Sequence, residues 1–183
     1  MADRRNKTVR DMVLSMGAIV VVVLVILGLM GGWSFSPGRP SGGTAPTADV
    51  QKGFSSASSS VGFPVAVPRD VPAQWHGSSF SLTPAVGATS AAPPTARGGW
   101  LIPSGAYITL IQSSGAPDAV RVAELGSAGP SSATVKAGGA AWSITSGVRT
   151  ETAWFRTAGN TTLLITGSAS PADFATLAAT IAP

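Results

Sequence analysis

The stretch WFRTAGNTTLLITGSASP, Trp154 to Pro171, decides the fold. It reads as an apolar strand opened by an aromatic residue, a turn carrying Gly159, and a second strand of Thr, Leu and Ile. A helix then begins at Pro171, a residue suited to the first helical position. Ser170-Pro171-Ala172-Asp173 has the spacing of a capping box, with Asp in place of the usual Glu. Behind it Phe174, Leu177, Ala178 and Ile181 recur at the spacing of one helix face. The stretch therefore predicts strand, turn, strand and helix over about 153–182.

Nearly the same phrase stands earlier, as WLIPSGAYITLIQSSGAP from Trp100 to Pro117. An offset of 54 positions, with no gap, brings Trp100 onto Trp154, Gly105 onto Gly159, Leu110 onto Leu164, Ile111 onto Ile165, Ser114 onto Ser168 and Pro117 onto Pro171. A first ββα unit is expected over about 99–125, its helix shorter and stopped by Gly126. In that helix Val120 and Ala123 correspond to Phe174 and Leu177. The turns are expected at Pro103-Ser104-Gly105 and Thr157-Ala158-Gly159, each closed by a left-handed glycine. A pseudo-twofold relation between the halves is the consequence expected of such a repeat.

Three further strands are predicted, over 74–82, 133–136 and 140–145, with Gly138-Gly139 as the turn between the last two. The order β-ββα-ββ-ββα belongs to the α+β class. One twisted antiparallel sheet of about six or seven strands, carrying two helices, is the expected architecture. The matched positions of the repeat are turn and packing residues, and none is chemically reactive. That makes the repeat a scaffold before it is a site.

No charged residue stands between Asp11 and Arg39, and residues 12–33 are almost wholly apolar. About 20 apolar residues cross a bilayer core, so a transmembrane helix is expected over 12–33, with Trp33 as an interfacial anchor. The tail 1–11 carries Arg4, Arg5, Lys7 and Arg10, which places it in the cytoplasm and the remainder outside the cell membrane. A cleaved secretory signal is the competing reading; the apolar run is longer than such signals need. Residues 34–62, opening with the Pro/Gly/Ser-rich SFSPGRPSGGTAPT, are expected as a linker, with a short helix over 48–60 as an alternative that the run SSASSS disfavours, and 63–183 as the extracytoplasmic domain. Pro64, Pro68 and Pro72 block helix, so Phe63, Val65 and Val67 are expected to lie as an extended strap on the domain. The Ala/Pro/Thr-rich segment 83–97 is expected to be a disordered loop.

The chain has 183 residues, a net charge of +4 and no cysteine. Disulfides and thiolate metal sites are thereby excluded. From residue 40 on, basic and acidic side chains almost balance and nowhere cluster, so the basic patch of a nucleic-acid binder is missing. His76 is the sole histidine. A catalytic base needs an orienting partner and a nucleophile, and no G-x-S-x-G, metal-ligand spacing or phosphate loop supplies them. No enzyme activity and no cofactor are expected. Asp118 and Asp173 fall in first helical turns, where the helix dipole favours them. Trp75, Trp100, Trp142 and Trp154 have two readings: core residues, or walls of a ligand or partner site.

The run Thr8-Val9-Arg10-Asp11-Met12, with Ser15, resembles a family of actinobacterial membrane proteins, the domain of unknown function 4245. Phe63-Pro64-Val65, Val71-Pro72-Ala73-x-Trp75, Pro103-x-Gly105-x-Tyr107, Gly139-x-x-Trp142 and Thr166-Gly167-Ser168-Ala169 extend the resemblance over nearly the whole chain. It implies a short tail, one membrane helix and an outside domain, and no established activity. Members often carry a basic residue after the first-strand Trp; His76 stands there in this chain. Two functions follow as expectations. One is a non-catalytic binding or scaffolding domain of the cell envelope, with an envelope protein as partner. The other is a lipid or glycan carrier; an envelope hydrolase built on His76 is a distant third.

Overall fold

The computed structural model describes residues 12–22, 47–89 and 92–181. The chain divides into two compact units, Met1–Gly43 and Thr44–Pro183. Of the first, residues 12–22 form a helix, α1, with every described side chain exposed. The expected tail 1–11, the rest of the expected span at 23–33 and linker residues 34–46 lie outside the described residues. Among the described residues no helix is long and apolar enough to cross a membrane.

The second unit is built on one antiparallel sheet. Its strands are β1 (His76–Thr83), β2 (Thr95–Leu101), β3 (Tyr107–Ser113), β4 (Ala133–Ala137), β5 (Ala140–Ser146), β6 (Thr152–Ala158) and β7 (Thr161–Gly167), and the seven lie in the order β1-β2-β3-β7-β6-β5-β4. This is the expected α+β architecture, with β1 and β4 as edges and β3 and β7 at the centre. The segment 83–97 is not one long loop. β2 already starts at Thr95, where Thr95 and Ala96 are buried, because the alternation of Ala96, Gly98 and Trp100 continues back from the tryptophan.

Among the described residues three α-helices accompany the sheet rather than two. α2 (Val50–Val61) lies in what the sequence assigns to the linker and realises the short-helix alternative over 48–60, α3 (Pro117–Leu125) follows β3, and α4 (Pro171–Thr180) follows β7. α2 forms despite its serines because both ends are capped. The Asp49 side chain accepts from Lys52 N at 2.9 Å, and Gly62 ends the helix in the left-handed conformation. Val50, Phe54, Ala57 and Val61 make one buried stripe, while Ser55, Ser56 and Ser59 face water and donate to carbonyls three or four residues back. The stripe settles on β1 and β2, where Gly98 leaves room for Phe54 and Val50. In α4 the capping box is formed as expected, and Phe174, Leu177, Ala178 and Ile181 are all buried. In α3 the expectation for Ala123 fails. That residue is exposed, and Val120, Arg121 and Leu125 are the buried positions.

The two ββα units are not related by a twofold axis. Paired residues share a face of the sheet. β3 turns Ile108, Leu110 and Gln112 to the face covered by α2 and α4, and β7 turns Leu163 and Ile165 there. The opposite face holds Ile111 and Leu164 with Leu125 of α3. The repeat equates Leu110 with Leu164 and Ile111 with Ile165, so the matched residues point in opposite directions. The hairpins explain this. The first closes on Ile102 and Ala106, whose N–H to O bond measures 2.9 Å, around Pro103-Ser104-Gly105. The second pairs Ala158 with Thr161 and turns on Gly159-Asn160 alone, so the expected turn at Thr157-Ala158-Gly159 lies one residue off. A one-residue change of register sends every following side chain to the other face. A rotation exchanging β3 and β7 would keep both helices on one side, whereas α3 and α4 pack on opposite sides.

Candidate functional site

The strap forms as the prolines predict. Phe63 is buried, and Val65, Ala66 and Val67 pack against the main core. Three fastenings hold it. Val65 N donates to Ser58 Oγ at 3.2 Å, and Arg69 N donates to Thr180 O at 2.9 Å. Between them, fully buried Gln112 mimics a neighbouring strand: its Nε2 donates to Ala66 O at 2.6 Å and its Oε1 accepts from Ala66 N at 2.8 Å.

Between the strap and the β6–β7 turn opens a cavity of about 490 Å³. Phe63, Pro64 and Ala66 form one wall, Ala158, Gly159 and Asn160 the other, and Leu163, Gln112 and Ile181 complete it with Arg156. The lining is mostly apolar, and its volume lies within the ~300–1,000 Å³ of small-ligand sites. Among the described residues that line it, Arg156 is the one cation. Its guanidinium carbon lies over the Trp142 ring, 5.1 Å from the centre, and its Nη2 donates to Ile181 O only at 3.5 Å. Its Nε is buried without a hydrogen-bond partner. Burial pulls its pKa below the ordinary arginine value. Among the described residues two ion pairs form, Arg97–Glu124 and Arg121–Asp118, and neither includes Arg156.

The four tryptophans are core residues. Trp75, Trp100, Trp142 and Trp154 belong to one buried cluster, with Trp142 wholly enclosed and its Nε1 donating to Ala137 O at 3.2 Å. Trp154 packs on Phe174, and Trp100 stacks near Phe54. Trp142 floors the Arg156 guanidinium without lining the main cavity, and Trp75 and Trp100 reach only a smaller pocket of about 210 Å³ near Val50 and Pro72. His76 Nε2 lies 3.3 Å from Thr47 Oγ1, and among the described residues no carboxylate is hydrogen-bonded to it. Asp118 bonds Arg121 one helical turn on, and Asp173 completes the α4 cap, the structural roles their positions imply. Among the described residues no group of acidic, His or Cys side chains is placed to hold a metal ion.

Arg156 and Gln112 were legible as site residues by one signal. With Trp154 and Leu110 turned inward, strict alternation turns Arg156 and Gln112 inward too, and a polar group at an inward position requires an explanation.

These features define an α+β protein whose open, largely apolar cavity is closed on one side by a strap and floored by an unpaired arginine. The chain belongs to the family described as protein of unknown function DUF4245, whose model matches residues 4–181. No curated protein and no solved structure matches the chain.

Proposed function

We propose that this chain is a single-pass membrane protein whose outer domain is a non-catalytic binding module of the cell envelope. The cavity under the strap carries the binding half of this reading: it is preformed, mostly apolar, and furnished with a few polar groups, Gln112, Arg156, Asn160 and Thr161. The tether rests on α1, where Met12, Leu14, Met16, Ile19 and Val21 are all more than half exposed. An apolar surface on every side of a helix suits lipid rather than water. The apolar run on to Trp33 and the basic residues before it support the same span and a cytoplasmic tail. The resemblance to actinobacterial single-pass proteins agrees with this arrangement. The filled tryptophan core argues against a carrier that swallows its ligand into the sheet interior, and directs attention to the strap instead.

The absence of cysteine makes the topology simple to test. Ala2→Cys and Ser127→Cys variants are treated in intact cells with a membrane-impermeant maleimide. Ser127→Cys is expected to label at once and Ala2→Cys only after lysis. The reverse pattern, or release of either variant from membranes by alkaline carbonate, refutes the tether.

A further inference from the structure

Two arginines of this domain sit over aromatic rings, Arg121 over Phe155 and Arg156 over Trp142, one on each face of the sheet. Arg121 sits 4.4 Å from the centre of the Phe155 ring, and Asp118 accepts from its Nη2 at 2.6 Å, with Gly129 O accepting from Nη1 at 2.6 Å. Arg156 sits 5.1 Å from the centre of the Trp142 ring, yet among the described residues no carboxylate pairs with it. Where Arg121 meets Asp118, Arg156 meets the cavity. A guanidinium is charged at every physiological pH, and a partly buried one without a counter-ion is costly unless an anion reaches it. Beyond the guanidinium the walls are Phe63, Pro64, Leu163 and Ile181, which offer apolar contact and no second charge.

We infer that this cavity binds an anionic amphiphile, its single carboxylate or phosphate paired with the Arg156 guanidinium and its hydrocarbon part laid between the strap and β7. The inference rests on the binding-module reading and names the ligand class for that site. Asn160 and Thr161, in and beside the two-residue turn, add polar side chains to the lining that a headgroup can use. Planar bidentate recognition of a carboxylate or phosphate is what arginine does better than lysine. Nε of Arg156 is buried and Nη2 makes only a 3.5 Å contact with Ile181 O, so the pairing with an anion falls to Nη1 and Nη2.

The test uses the full chain in phosphatidylcholine nanodiscs and three photoactivatable twelve-carbon probes: a carboxylate, its methyl ester, and an alkyl phosphate. Labelled peptides are mapped by mass spectrometry. The carboxylate or the phosphate is expected to label residues 62–66 and 158–163, and the one with the lower half-saturation identifies the headgroup chemistry. Arg156→Gln is expected to raise that half-saturation about ten- to hundred-fold, the worth of one charge-assisted pair. The ester is expected to label wild type and variant equally and weakly. Arg156→Lys, which keeps the charge but not the fork, is expected to fall between them, with an unchanged near-ultraviolet tryptophan spectrum showing that the fold is intact. Equal labelling by acid and ester, or indifference to Arg156→Gln, overturns the anionic assignment while leaving a binding cavity. No labelling of the cavity by any probe overturns both the assignment and the cavity as the binding site.

Discussion

Replacing Gln112 tests whether the strap is held by hydrogen bonds or merely by its fit. The side chain is fully buried and its amide exchanges bonds of 2.6 and 2.8 Å with Ala66. Each bond contributes about 1 kcal/mol net, and the buried methylene stem adds about 0.8 kcal/mol. Gln112→Ala should therefore cost about 3 kcal/mol. Gln112→Leu refills the volume but leaves the Ala66 N–H and C=O facing hydrocarbon, so it should still cost about 2 kcal/mol. Urea unfolding of the detergent-solubilised chain, followed by tryptophan fluorescence, gives the global loss. Hydrogen exchange at residues 63–67 gives the local one, and protection should fall there before it falls in β3 and β7. Full stability in Gln112→Leu, with the Ala66 amide still protected, would refute the reasoning and make volume alone the cause.

Two other outcomes follow from particular contacts. The chain has one tyrosine, Tyr107, so its ultraviolet titration reports a single group. Burial, and then the hydrogen bond its hydroxyl donates to Glu151 Oε2 at 2.7 Å, push its pKa up to about 12. A raised phenol pKa stabilises the fold fully below the unfolded value near 10, and the gain is lost as pH climbs through about 12. Glu151→Gln should move the midpoint back toward 10, and an unmoved midpoint means that Glu151 does not act on the phenol. In Gly98→Ala the new methyl runs into Phe54 and Val50, so α2 must shift at a cost of about 1–3 kcal/mol. Unchanged urea unfolding of that variant would show that α2 does not rest on β2.

The strand and helix order was readable because each element carries two signals at once, periodicity and a marked end. α4 has Ser170, Pro171 and a four-residue apolar stripe, and all of it is present in the structure. α2 had the stripe of Val50, Phe54, Ala57 and Val61, but it lay among serines, which compete with the backbone when exposed. Their hydroxyls turn back onto helix carbonyls instead, and the apolar face decides the outcome. The opposed directions of β3 and β7 were illegible for a different reason. Leu-Ile in one strand and Leu-Leu-Ile in the other are apolar on both faces, so alternation is silent at the centre of the sheet. Only the number of residues in the turns fixes the direction, and a glycine permits either count. The cavity was hidden because its walls come from the strap, β3, β6, β7 and the residue after α4, which no short stretch of sequence brings together.

A tandem repeat ordinarily implies two equivalent places of attachment, and with them the avidity of a two-handed grip. The single residue by which the two turns differ removes that equivalence. Arg156 corresponds in the repeat to Ile102, and Asn160 to Ala106. The strap crosses Gln112, whose counterpart is Thr166. On the proposed reading of the cavity, the repeat offers one such place per chain and not two, and a ligand taken up there would bind with a stoichiometry of one to one.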